Sequence, residues 1–246
     1  MTTLEPLATV LLFSALASLT AVLGAVPQAL RGTPSHAMIG WANALASGLM
    51  LGVAYTLLTE GLQNVLAAGG VGALLGIGFV RGTHSLTGTG ELDLAELDKA
   101  GPEYGYKAIL VDTLHAAHEG VAIGVAMAVS LPLGIAMALT LAIHNIPEAM
   151  VLNTLLTERG LRLPQSAALA TAVNLNQVLL AVLSFAVIGL WPVLLPWVTG
   201  FTVGALVYLT LVELLPESYR QTGKTSIAVV TLVAMGVVVL LAGVAG

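Results

Sequence analysis

Four long apolar blocks punctuate this chain: residues 6–30, 61–80, 163–212 and 225–246 contain no Asp, Glu, Lys or Arg. A helix needs about 20 predominantly apolar residues to cross a bilayer, so each block is long enough for a crossing. The third is long enough for two. "WPVLLP" at 191–196 divides it, because proline has no N–H with which to continue a helix. The pattern predicts eight membrane-spanning helices at residues 5–26, 37–59, 63–80, 107–129, 133–157, 164–189, 193–216 and 226–245, numbered here as spans 1 to 8. The fold class that follows is an all-α polytopic membrane protein, a single transmembrane domain over residues 1–246 with a polar loop at 83–106 between spans 3 and 4.

Composition agrees: 57% of residues are hydrophobic, 9% are charged, and the mean hydropathy is +0.97. "MTTLEPLATV" has no basic n-region, so span 1 is expected to stay in the mature chain rather than be cleaved as a signal peptide. With no cysteine, disulfides and thiolate metal sites are excluded. The basic residues sort by side: Arg31, Arg81, Lys99, Lys107, Arg159, Arg162, Arg220 and Lys224 all fall at the ends joining spans 1–2, 3–4, 5–6 and 7–8. The positive-inside bias then puts those four connections in the cytoplasm and both termini outside the cell (inner) membrane. The formal charge of −5 requires no partner and gives no reason to expect nucleic acid. Five of the thirteen acids lie in "GTHSLTGTGELDLAELDKAGPEYGY", which reads as a solvated cytosolic loop whose acids and His84 offer at most loose metal contacts.

Ionisable side chains at membrane depth are costly and normally line a pathway with partners. "HAAHEGVAIG" at 115–124 and "HNIPEA" at 144–149 each place a Glu four residues after a His. In span 4, Asp112, His115 and Glu119 share one helical face with His118 beside them; in span 5, Thr140, His144 and Glu148 do the same. "SLPLG" joins the two spans as antiparallel neighbours, so both His/Glu pairs can meet. Two carboxylates and two imidazoles together suit a divalent cation, zinc above all, with iron or manganese tolerated. Structural hydrogen bonding between helices is the alternative, and two matched pairs favour metal. Pro147 withholds a helical partner from the carbonyl of Ile143, leaving an acceptor for an ion or water.

With this topology, the paired motifs resemble those of the ZIP (Zrt/Irt-like) family of divalent-metal transporters, prokaryotic type, whose usual form in span 5 is His-Asn-x-Pro-Glu-Gly. The resemblance implies eight spans in a 3+2+3 inverted-repeat arrangement and a metal site on His115, Glu119, His144 and Glu148. "GLMLG" is similar to the family's span 2 segment and places Met50 at a ligand-bearing position. His118, Asn145 and Gln177 complete the metal candidates. The chain departs from the family at Ala116, usually Asn, at His118, usually Pro, and at Gln177, commonly Glu. Ala116 and Gln177 fall on the second position of two-ion members, so a full binuclear centre is not expected, though His118 offers partial restoration. Asp112, Asn174, Glu213, Glu217 and Glu60 are pathway candidates, each with a structural alternative: helix-helix hydrogen bonding for Asn174, a capped helix end for Glu213 and Glu217, headgroup contact for Glu60. Tyr55 to Glu60 and Tyr208 to Glu213 repeat one spacing in spans 2 and 7, a faint internal symmetry.

The expected function is transport of divalent cations toward the cytoplasm, with Zn2+ as substrate and Fe2+, Mn2+ or Cd2+ as alternatives. The expected partners are those ions and the lipid bilayer, with a homodimer implied by resemblance alone. Alternating access is expected to move the span 4 and 5 unit against a more rigid one, in an elevator-like manner. An intramembrane metalloenzyme is disfavoured because "HEGVA" lacks the second His of the zinc-protease pattern. A haem carrier ligated by His115 and His144 is disfavoured by the adjacent glutamates and by the 5% aromatic content.

Overall fold

The computed structural model describes residues 4–61, 66–87, 103–222 and 225–245. Helices join into eight rods, and no strand occurs among the described residues. Span 1 runs through Leu4–Leu19, a 3-10 stretch Thr20–Ala25 and Val26–Arg31. Spans 2 to 6 are His36–Gly61, Leu66–Thr87, Glu103–Val129, Leu131–Glu158 and Leu163–Leu190. Span 7 strings together Pro192–Leu194, Leu195–Leu209, a π-helical turn Thr210–Leu214 and Leu215–Thr222, and span 8 is Ser226–Ala245. The ends have local causes. Gly32 (φ 79) and Gly160 (φ 89) stop spans 1 and 5 in a left-handed conformation that glycine adopts without strain. The Ser130 side chain caps span 5 by accepting from the Leu133 N–H at 3.3 Å, with Pro132 in the first turn, so a single residue separates spans 4 and 5.

Over the described residues, six of the rods are long and apolar enough to cross a membrane. Span 4 carries Asp112, two histidines and Glu119 and is sheltered along span 6, while span 3 runs along span 7. Leucines such as Leu74, Leu190 and Leu240 are largely exposed on the outside, as expected where the solvent is lipid.

Neighbour choice divides the bundle into two sets, spans 2, 3, 7 and 8 and spans 1, 4, 5 and 6. The pairing is interchangeable: span 2 packs on 8 as span 7 packs on 3, and span 4 packs on 6 as span 5 packs on 1. That is the pattern of spans 1–3 repeated by 6–8 around a central pair. Glycines allow the close approaches. A Cβ at Gly72 or Gly76 would strike the carbonyls of Trp197 or Phe201, and one at Gly200 or Gly204 would strike those of Gly69 or Ala73. Gly48 faces Thr231, and Gly120 and Gly124 face the backbone of Gln177 and Ala181. Small residues at such spacing let helix backbones touch where lipid provides no hydrophobic drive. The main apolar core, including Leu57, Ile123, Met137, Leu141 and Leu206, fills the half of the bundle toward Ser130. The polar side chains begin where that core stops.

Candidate metal centre

His144 lies at the middle of the 28-residue helix of span 5, and Glu148 follows one turn later on the same face. Across from them, span 4 supplies His115 and Glu119. Glu119 and His144 are fully buried, and His115 and Glu148 are 5% and 8% exposed, so charge here is removed from both water and lipid headgroups. His144 Nε2 stands 2.8 Å from Glu119 Oε1 and 3.6 Å from Glu148 Oε2. His115 Nδ1 stands 3.6 Å from Glu148 Oε1. One ligand atom from each of Glu119, His144 and Glu148 lies within 4.8 Å of the others.

The tautomer of His144 follows from its second nitrogen. Nδ1 faces the Ala46 carbonyl of span 2 at 3.2 Å, and a carbonyl only accepts, so Nδ1 carries the hydrogen and, in the neutral ring, Nε2 presents a lone pair. That lone pair meets a carboxylate oxygen. Two acceptors 2.8 Å apart require a proton or a cation between them, and despite the short distance neither has an aligned hydrogen-bond partner. His115 Nε2 and Glu148 Oε2 are likewise buried without one. Buried polar atoms are rarely left so, and four in one place are compatible with a metal site. The spacing suits a small cation. Ligand atoms about 2.1 Å from a tetrahedral ion stand roughly 3.4 Å apart, close to the 3.6 Å contacts; the Glu119–His144 pair would open slightly.

The centre continues in both directions. Asp112 is buried on the same face of span 4, one turn before His115. His115 Nε2 stands 3.6 Å from Glu213 Oε2, and Glu213 Oε1 is 2.8 Å from His84 Nε2. Glu213 belongs to the π turn of span 7, a distortion common at functional sites. On the other side, Gln177 of span 6 donates to Glu119 Oε2 at 3.4 Å, and Asn145 donates to Gln177 Oε1 at 3.0 Å and to the Ala17 carbonyl at 2.8 Å. Met50 is buried with its sulfur 3.8 Å from Thr210 Oγ1, one turn beyond Ala46.

The remaining candidates lie apart. His118 packs between Phe79 and Phe201 of spans 3 and 7, with ring centroids 5.8 and 6.3 Å away, and its Nδ1 donates to the Leu114 carbonyl at 2.6 Å. Asn174 is buried and donates to Ala170 O within its own helix. Glu217 is held by Arg220 at 2.9 Å and Gln221 at 2.7 Å on the last turns of span 7, the capped-end arrangement. Glu60 is exposed at the end of span 2. The helix of span 3 continues to Thr87 and that of span 4 starts at Glu103, so His84 is a buried helical residue, not part of a loop as its Gly- and Thr-rich surroundings suggest. The signal that was there is spacing: His84 follows the buried Val80 by one turn on the face toward span 7. The rest of the loop, 88–102, lies outside the described residues.

Residues 90–244 match the sequence profile of the family described as ZIP Zinc transporter. The Arabidopsis thaliana protein named "Putative zinc transporter At3g08650" is 30% identical over 228 residues, covering 89% of this chain and 36% of that protein. "Zinc transporter GufA" of Myxococcus xanthus is 31% identical over 113 residues, covering 46% of this chain and 44% of that protein. The matched segments cover less than half the length of each of these relatives.

Proposed function

The chain belongs to the ZIP zinc transporter family, and from that premise we propose that it moves divalent metal ions across the membrane, zinc first among them, through a site formed by His115, Glu119, His144 and Glu148. The observation that carries this reading is the set of buried, unpartnered nitrogen and oxygen atoms converging at the middle of two membrane helices. A cation there balances the two carboxylates and lies between His144 Nε2 and Glu119 Oε1. Nitrogen and oxygen donors suit zinc and tolerate iron, manganese and cadmium. Met50, buried beside Thr210, is the candidate fifth ligand.

Transport needs the site to face each side in turn. The half of the bundle toward Ser130 is filled by apolar side chains, while His84, Glu213 and Asp112 lead from the site toward the opposite end. Every basic residue among the described ones falls toward that opposite end, the bias of a cytoplasmic face, which supports delivery into the cytoplasm with both termini outside. The division into two four-helix sets supports movement of spans 1, 4, 5 and 6 against spans 2, 3, 7 and 8. A metalloenzyme or haem reading draws support from none of these contacts.

The test is flux of zinc into proteoliposomes containing the intact chain, His115→Ala or Glu148→Ala. Flux in the intact chain that falls at least tenfold in both variants agrees with the site. Equal flux in all three rejects the site, and no flux of any divalent ion rejects the function.

A further inference from the structure

The hydrogen bonds behind Glu119 run in one direction only. A backbone carbonyl cannot donate, so the Asn145 atom 2.8 Å from Ala17 O must be its amide nitrogen. That same nitrogen lies 3.0 Å from Gln177, so the Gln177 atom it meets must be the oxygen. The other end of the Gln177 amide is then its N–H group, and it points at Glu119 Oε2, 3.4 Å away. One carbonyl in span 1 thus sets the polarity of a chain passing through spans 5 and 6 to a ligand on span 4. Asn145 and Gln177 are both fully buried, so water does not scramble the order. Gly120, adjacent to Glu119, lies against the backbone of Gln177 and holds span 6 close enough for the contact.

We propose that Asn145 and Gln177 are positioning residues: they fix Glu119 as an acceptor with one oxygen facing the ion, and they present an N–H to its other oxygen, so the site holds a single divalent cation. The proposal rests on the transport site described above and adds its stoichiometry. For Glu119 to bridge two cations with one on each oxygen, its second oxygen must be open to a cation. Here the second oxygen faces the positive end of an amide dipole, which repels a cation and offers it no lone pair. The Gln177 oxygen is already used by Asn145. Ala116, buried on the same helix, supplies no ligand atom.

The experiment is equilibrium binding of Cd2+ and Zn2+ to the purified full-length chain in detergent, with 113Cd NMR to count distinct sites. The expected result is one ion per chain and one cadmium resonance. Gln177→Met keeps the length but removes the donor; it should still bind one ion, roughly tenfold more weakly. Gln177→Glu puts an acceptor and a charge where the N–H was, and should give a second resonance and a second equivalent. A role in packing alone would lower thermal stability in both variants without changing the number of ions. Two equivalents in the unaltered chain would overturn the proposal, as would count and affinity unchanged in both variants. The count in the unaltered chain stands even if a variant does not fold. No binding of any divalent ion to the intact chain would instead overturn the site itself, so the two failures are distinguishable.

Discussion

Replacing Gly120 with alanine adds one methyl group at a point where span 4 lies directly against the backbone of span 6. The new carbon would lie 2.9 Å from both the carbonyl carbon and the Cα of Gln177, as well as against its oxygen. Carbon atoms attract best at about 3.5–4.0 Å, so span 6 must retreat by roughly half an ångström or more. Overfilling a packed interface by one such group costs about 1–3 kcal/mol. The retreat also acts at the site, because the Gln177–Glu119 hydrogen bond, at 3.4 Å, is already near the limit of its range. A hydrogen bond to a charged group contributes about 1.5–3 kcal/mol. Since about 1.4 kcal/mol is a factor of ten, ion affinity should fall by up to roughly tenfold, the loss expected when the donor is removed altogether, while the protein also unfolds at a lower temperature. Thermal unfolding and competitive zinc titration on one purified sample measure both. A Gly120→Ala protein with an unchanged unfolding midpoint and an affinity within about twofold of the parent would refute the close approach and the coupling drawn from it.

Further outcomes follow from other contacts. Glu213→Gln keeps its shape but weakens the link between His84 on span 3 and His115 on span 4; initial zinc flux should change severalfold while equilibrium binding stays within about threefold, as read by proteoliposome uptake against dialysis. Gly204→Val forces a branched side chain against the Ala73 backbone and should destabilise the span 3–span 7 pair by at least about 1–3 kcal/mol, seen as a lower unfolding midpoint in detergent. Because the chain has no cysteine, single substitutions report sidedness directly. In intact cells, Trp191→Cys should react with a membrane-impermeant thiol reagent and Arg31→Cys should not; the reverse would invert the assigned orientation.

Much of this architecture was legible because membrane helices announce themselves through length and missing charge, which are local properties. The eight spans and the meeting of the His115/Glu119 and His144/Glu148 pairs needed only helical spacing and one short connection between spans 4 and 5. Neighbour choice was less legible. Gly48 and Gly52, Gly120 and Gly124, or Gly200 and Gly204 mark faces for close packing, but spacing does not say which backbone each meets. His118 was drawn to the site by its place beside Glu119, yet one residue turns a helix about 100°, and the ring ends between two phenylalanines. His84 was hidden by glycine and threonine, whose low helix propensity span 7 overrides. The roles of the Ala17 and Ala46 carbonyls could not be read at all, since every residue carries such a group and only tertiary geometry selects two of them.

The wide turn at Thr210–Leu214 separates two lengths of span 7 that are anchored independently. Above it, Gly200 and Gly204 wedge against span 3; below it, Ser218 donates to the Gly40 carbonyl of span 2 at 2.6 Å. Dropping one residue from that turn would tighten it to an ordinary helix without twisting either anchored length, whereas the same loss in span 2 or 6 would swing all later side chains by about 100°. The membrane domain therefore has a splice point where its length can drift during descent, and Glu213 is the residue whose address would change with it.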